Sequence, residues 1–238
     1  MSLLIALALA LAPGACIIVI IYLKDKHEKE PIGLLALSFL YGILSIFVTL
    51  LISWPLDFFM PIDEHDLSEQ AVHAFFLVAL VEEFSKFIFI RFILYRNSNF
   101  NEPFDGIVYA VMVGMGFATF ENILYVSSGG IGTAMVRMFT AVPAHATFAI
   151  LMGYYLGKAK FEHRKAFMAV YGLLAAALFH GLYDYFWFIS FVPGIWLGAL
   201  ASLAIAVGLS RKAIHIHQEA SPFKVKPPIE NSQQNSQT

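Results

Sequence analysis

Charge is scarce in this chain: Asp, Glu, Lys and Arg make up 13% of its 238 residues, against roughly 25% in soluble domains. Apolar residues reach 59% and mean hydropathy is +0.71. The shortage excludes a soluble domain with a solvated surface, and no basic run or basic motif suggests nucleic acid as a partner. Cysteine is nearly absent. Cys16 alone excludes an internal disulfide and carries no information on redox compartment. No Lys or Arg precedes the first apolar run, Ser2 to Leu23, which also exceeds a signal h-region, so it reads as a retained helix. Pro13-Gly14-Ala15 before Cys16 lacks the aliphatic residue of a lipoprotein cleavage site. No internal repeat is visible.

What the chain has in quantity is apolar runs. A membrane span needs about 20 mostly apolar residues at about 1.5 Å each. That rule predicts helices at about 2–23, 32–53, 71–95, 104–128, 133–157, 166–189 and 192–210. The expected fold is all-α, a polytopic membrane helix bundle of about seven transmembrane helices. Residues 1–212 read as the transmembrane domain, and 213–238, polar and rich in Ser, Gln, Asn and Pro, as a disordered cytoplasmic tail.

The basic residues fix an expected orientation. Lys24, Lys26, Lys29, Arg96, Lys158, Lys160, Arg164, Lys165, Arg211, Lys212, Lys224 and Lys226 fall on the odd-numbered connections and the tail, 12 of 15 in all. The even-numbered connections hold none, and residues 54–70 carry Asp57, Asp63, Glu64, Asp66 and Glu69 instead. The positive-inside rule then puts the N-terminus outside and the tail in the cytoplasm of a multi-pass membrane protein. Of the other three, Arg91 can snorkel from its helix end. Lys86 and Arg137 lie within spans.

They have acidic company. On the third helix Glu82, Lys86 and Glu83 fall at about 0°, 40° and 100° of the wheel, which sets Lys86 between two carboxylates. The fourth helix carries Glu121-Asn122, and the fifth Arg137 and His145. On the sixth, His180 and Asp184 stand one turn apart, and Gly172 and Ala176 continue the stripe as a close-packing surface. A charge at bilayer depth costs about 2.5–3.5 kcal/mol, so Glu82, Glu83, Lys86, Glu121, Arg137 and Asp184 would cost roughly 15–21 kcal/mol in isolation. They must therefore converge on one interior site. Counted from the outer helix ends, Glu82 and His145 lie about 16 Å down, His180 about 12 Å and Glu121 about 10 Å, all in the outer half.

Amide hydrolysis needs an activated water, a partner for the oxyanion and a proton donor for the leaving amine. Glu82 or Glu83, held by Lys86, suits the first role. His145, His180 and a carboxylate such as Glu121 make an N/O set for a catalytic zinc or other divalent metal. Asp184 is placed to orient His180. Asn122 and Arg137 are the candidates for contacts to substrate or oxyanion. His73 reads as interfacial, while His163, His215 and His217 fall in a loop and the tail.

At Glu82-Glu83-x-x-Lys86, Phe117-x-x-x-Glu121-Asn122, Arg137 with His145 and Gly153, and His180-Gly181-x-x-Asp184, the sequence resembles the PrsW family of intramembrane proteases, within the superfamily of CAAX-prenyl proteases and Abi proteins. The resemblance implies a peptidase that cuts membrane-anchored proteins, typically anti-sigma factors. It implies Glu82 and Glu83 as catalytic carboxylates and His180 as a catalytic or metal-binding residue. The family is described as metalloproteases, whereas CAAX-type relatives activate water with a Glu–His pair and no obvious metal. Glu121 stands where those relatives carry histidine, so metal dependence stays open. A proton-coupled transporter and a catalytically silent binding or immunity protein are the alternative readings of the same intramembrane charges.

Overall fold

A computed structural model describes residues 3–161 and 165–224. Helices α1 (Leu3–Lys24) and α2 (Ile32–Phe59) come first. A composite helix follows, built from α3 (Leu67–Val72), a π-helical segment (His73–Ala79) and α4 (Leu80–Phe92), with a 3₁₀ turn at Leu94–Arg96. The chain continues through α5 (Pro103–Phe139), α6 (Ala141–Phe161), α7 (Lys165–Phe188) and α8 (Leu197–Glu219). No strand occurs among the described residues.

Among the described residues, five segments are long and apolar enough to cross a membrane: Ile32–Phe59, Pro103–Ser127, Gly129–Phe161, Phe167–Phe188 and Leu197–Glu219, with a shorter apolar stretch at Ala8–Lys24. The composite helix is outside that set because Glu82, Glu83, Lys86 and Arg91 interrupt its apolar run. The expected membrane bundle is therefore observed, and the most charged helix is one that runs through it.

Backbones approach closely where glycines remove the side chain. A Cβ on Gly42 would stand 2.0 Å from the Val113 carbonyl oxygen, and one on Gly153 would stand 2.3 Å from that of Gly106. Helix α5 is thereby pressed between α2 and α6, and residues Ile107 to Ala118 of this helix are almost wholly buried. The predicted Gly172 stripe behaves as expected: a Cβ there would meet the Met152 carbonyl oxygen of α6 at 2.9 Å.

Three boundaries differ from the sequence reading. Helix α5 runs on to Phe139 and α6 begins at Ala141, so Arg137 and His145 lie on separate helices rather than on one at 133–157. Residues 71–95 are not one regular α-helix, because the π-helical turn intervenes; the Leu80 N–H reaches back to the Phe75 carbonyl. Helix α8 runs to Glu219 rather than stopping near 210. Its extra turns pack on other elements: His217 is buried and stacks on Tyr154 with centroids 4.5 Å apart, and Gln218 donates to the Lys24 carbonyl. His217 is thus a packed residue of the bundle, not of a tail. Residues 225–238, where most of the expected disordered tail falls, and His163 lie outside the described residues.

One end of the bundle is tied by Gln218 to Lys24, Ser221 to Glu102, and Lys160 to the carbonyls of Tyr95 and Asn97. The other is closed by aromatic contacts of His65 with Phe191 and of His73 with Phe188. The intramembrane charges lie toward this second end, away from the basic connections.

Candidate active site

The site grows from the first turn of α4. Lys86 lies one turn beyond two adjacent carboxylates and bridges them: its Nζ is 2.8 Å from Glu83 Oε1 and 3.4 Å from Glu82 Oε2. The helical wheel places the three groups on one face, and the structure does the same. Phe117 lies under the ammonium, its ring centroid 3.8 Å from Nζ. Glu83 and Lys86 are almost sealed from solvent, with side-chain exposures of 1% and 3%, while Glu82 keeps 11%.

Helix α7 meets α4 because Gly181 leaves room for Phe75 of the π-helical segment; a Cβ there would stand 2.4 Å from its ring. The neighbouring His180 consequently reaches both glutamates. Its Nδ1 lies 3.0 Å from Glu83 Oε1, and its Nε2 lies 3.1 Å from Asp184 Oδ2 and 3.9 Å from Glu82 Oε2. Phe148 stacks on the imidazole at 4.8 Å and fixes its plane.

The third contribution depends on a turn inside α5. Gly130 adopts φ 72° and ψ −163°, backbone space that is essentially open to glycine alone. Sixteen residues of straight helix would span about 24 Å, yet Arg137 Nη2 stands 2.7 Å from Glu121 Oε2 because the chain folds back at this turn. The Arg137 guanidinium also donates to Asn122 Oδ1 at 3.1 Å. From α6, His145 Nε2 lies 2.9 Å from the same Glu121 oxygen, and its Nδ1 is 3.4 Å from Lys86 Nζ. The rings of His145 and His180 are 5.1 Å apart and nearly perpendicular.

These groups border a cavity of about 570 Å³ whose walls include Glu82, Glu121, Arg137, His145, His180 and Asp184. Glu83 and Lys86 stand behind that wall. Asn122 takes a different place from the one the sequence suggested. It is fully buried and off the cavity, with its amide donating to the Ala10 carbonyl at 3.2 Å and its oxygen accepting from Arg137. It fixes Arg137 and α1 rather than facing a ligand. Asp57, of the acidic connection, joins the wall, as do Thr140, Tyr125 and Trp187, which no sequence motif singles out, and His73, expected at the interface, lines the cavity as well. Their only local signal was position near the outer helix ends.

Glu82, His145 and His180 each offer a ligand atom within 4.8 Å of the others, and all three are buried. Two imidazoles and one carboxylate are a donor set that suits zinc. The sequence pointed to Glu121 as the carboxylate of such a set; the group whose ligand atoms lie mutually close contains Glu82, while Glu121 Oε2 accepts from Arg137 at 2.7 Å and stands 2.9 Å from His145 Nε2.

Comparison with known proteins identifies the family of the chain. Residues 30–210 match the model of the PrsW family, described as intramembrane metalloproteases. The Protease PrsW of Geobacillus kaustophilus is 36% identical over 210 residues, covering 84% of this chain and 91% of that protein. The Protease PrsW of Oceanobacillus iheyensis is 38% identical over 75% of this chain and 81% of its own, and that of Bacillus subtilis is 34% identical over 74% and 79%. No solved structure matches the chain. With the family model spanning most of the sequence and such relatives matched over most of their length, the chain belongs to the PrsW family.

Proposed function

We propose that this protein is an intramembrane endopeptidase that hydrolyses membrane-anchored proteins, of the anti-sigma-factor kind, near the outer face of the membrane. The observation that carries the reading is the convergence of Glu82, His145 and His180, from three helices, on the wall of one polar cavity inside an apolar bundle. The names of the relatives support the class of reaction. The distribution of basic residues supports an N-terminus outside and a cytoplasmic C-terminus.

The fuller reading is a metallopeptidase in which Glu82, His145 and His180 hold a divalent ion such as Zn²⁺. Charge balance favours it. Four carboxylates (Glu82, Glu83, Glu121, Asp184) face two fixed cations (Lys86, Arg137), a formal excess of two negative charges in a buried site. A bound divalent ion would supply Lewis acidity and a water acidified toward neutrality. Glu121 accepts from His145 and Glu83 from His180, which orients each imidazole from behind as second carboxylates do in such sites. Asp184, on the cavity wall, takes the proton of the attacking water and returns it to the leaving amine. Arg137, also on the wall, faces the developing oxyanion.

One observation favours a metal-free division of labour, as in the CAAX-type relatives. The Lys86 ammonium already stands 3.4 Å from both Glu82 and His145, where it serves as the counter-cation. Glu82 is then the general base and His180 its partner. Both readings require Glu82 and His180.

The test uses purified protein in proteoliposomes with a tagged single-span substrate. Glu82→Gln or His180→Ala should abolish cleavage while the protein accumulates normally, and combining them should cost little more. Near-normal cleavage by the double variant would refute the site. Metal analysis separates the two mechanisms. About one ion per chain, reduced in His145→Ala, supports the metallopeptidase, and full activity in metal-free protein supports the Glu–His alternative.

A further inference from the structure

A second cleft adjoins the catalytic cavity. It measures about 460 Å³ and is walled by Glu64, His65 and Gln70 from the connection after α2 and the start of α3, and by Ser190 and Phe191 beyond α7. Two residues, His73 and Phe188, line both spaces. Their rings stack with centroids 5.1 Å apart and an interplanar angle of 26°, so the stacked pair is the partition between the cleft and the cavity.

The partition sits on irregular backbone. His73 is the first residue of the π-helical segment, and Phe188 is the last of α7. Single π-turns within α-helices occur frequently at functional sites, where the extra residue re-aims side chains. Here the segment also sets Phe75 against Gly181, beside His180. The same seven residues therefore present one ring to the partition and another to the helix that carries a site histidine.

From this continuity we infer that the cleft is the recognition site for the substrate's polypeptide just outside its span, and that the chain crosses the His73–Phe188 pair to reach the carboxylates. The inference rests on the peptidase reading above. A helical substrate cannot present its amides to the site while they are hydrogen-bonded to its own backbone. An unwound segment held in an adjoining cleft solves this, since an extended chain advances about 3.3 Å per residue. The chemistry of the wall selects the segment. Residues 54–70 carry five carboxylates and no Lys or Arg, and Glu64 is exposed on the wall itself. A basic segment is the complementary ligand.

Two single-span peptides test the assignment, identical except for four residues immediately outside the span, Lys-rich in one and Glu-rich in the other. Wild-type protein in proteoliposomes should favour the Lys-rich peptide through KM. Glu64→Lys, an exposed change remote from the catalytic groups, should narrow that preference about two- to fivefold, the range of one exposed charge pair, with kcat unchanged. Phe188→Ala should relax discrimination against a bulky aromatic residue in the same segment. Equal treatment of the two peptides by wild type, or an unchanged preference in Glu64→Lys, overturns the cleft assignment and leaves the peptidase standing. Unchanged discrimination in Phe188→Ala overturns the crossing. Failure of wild type to cut either peptide would sink the peptidase reading itself and the inference with it.

Discussion

Replacing Lys86 by Met removes the ammonium that faces Glu83 at 2.8 Å and Glu82 at 3.4 Å. At an effective dielectric of about 20, each pair is worth about 5–6 kcal/mol of Coulomb energy, most of it offset by the desolvation of three charges. The loss on mutation is set by what remains, two neighbouring carboxylates whose side chains are 1% and 11% exposed. Removing one partner from a buried pair costs about 3–5 kcal/mol. In a chain of this size that lowers Tm by about 6–20 °C. Unfolding of the purified protein in mild detergent, followed by Trp fluorescence, reads the change. The double variant Lys86→Met/Glu83→Gln should recover more than half of the loss, because the orphaned carboxylate is gone, yet it should not recover cleavage. Added Zn²⁺ should stabilise Lys86→Met more than wild type if Glu82, His145 and His180 hold a divalent ion. A Lys86→Met variant within about 1 kcal/mol of wild type, the range of an exposed pair, would show that Lys86 is not the counter-charge of these glutamates.

Gly130→Ala forces a Cβ into a conformation open only to glycine, at a cost of about 1–3 kcal/mol; cleavage should fall because Arg137 is drawn away from Glu121, and unchanged kcat/KM would refute the role of that turn. Burial raises the carboxyl of Asp25 to about 6 and that of Glu30 to about 7, against ordinary values of 3.8 and 4.5. The folded protein then holds protons that the unfolded chain releases between about pH 4 and 7, so stability is highest at the acid side of that window and falls as pH rises through it. Asp25→Asn should gain about 1–3 kcal/mol at pH 7.5 and little at pH 4, checked by thermal unfolding across pH; a pH-independent gain would refute the assignment. A topology reporter fused after Arg211 should read cytoplasmic and one inserted near Asp63 exterior, and the reverse pattern would overturn the orientation.

The parts of the site that were legible in the sequence are those whose partners lie within one helical turn. Glu82 with Lys86 and His180 with Asp184 follow from four-residue spacing, and both pairs form. Contacts between helices were legible only as a requirement that buried charges converge. Which group meets which was not, because nothing local distinguishes Glu82 from Glu121 as the neighbour of two histidines. Asn122 shows the same limit: a polar residue beside Glu121 reads as a site residue, and only the packing of α1 reveals that its carboxamide is consumed by Ala10 and Arg137. The extension of α8 beyond Ser210 was equally hidden, since polar residues such as His217 and Gln218 end an apolar run yet find partners on Tyr154 and Lys24.

Sequence by itself determined the medium, the rough course of the apolar helices and the need for one shared polar site, because hydrocarbon imposes a length rule on helices and a heavy cost on every unpaired charge. Tertiary structure alone decided the rest. The turn at Gly130 returns Arg137 to Glu121 across 16 residues, the contact at Gly181 sets His180 against Glu83 across 97, and the π-helical segment turns His73 toward Phe188. Those outcomes depend on the distance between backbones, and that distance is set by the packing of all the helices together.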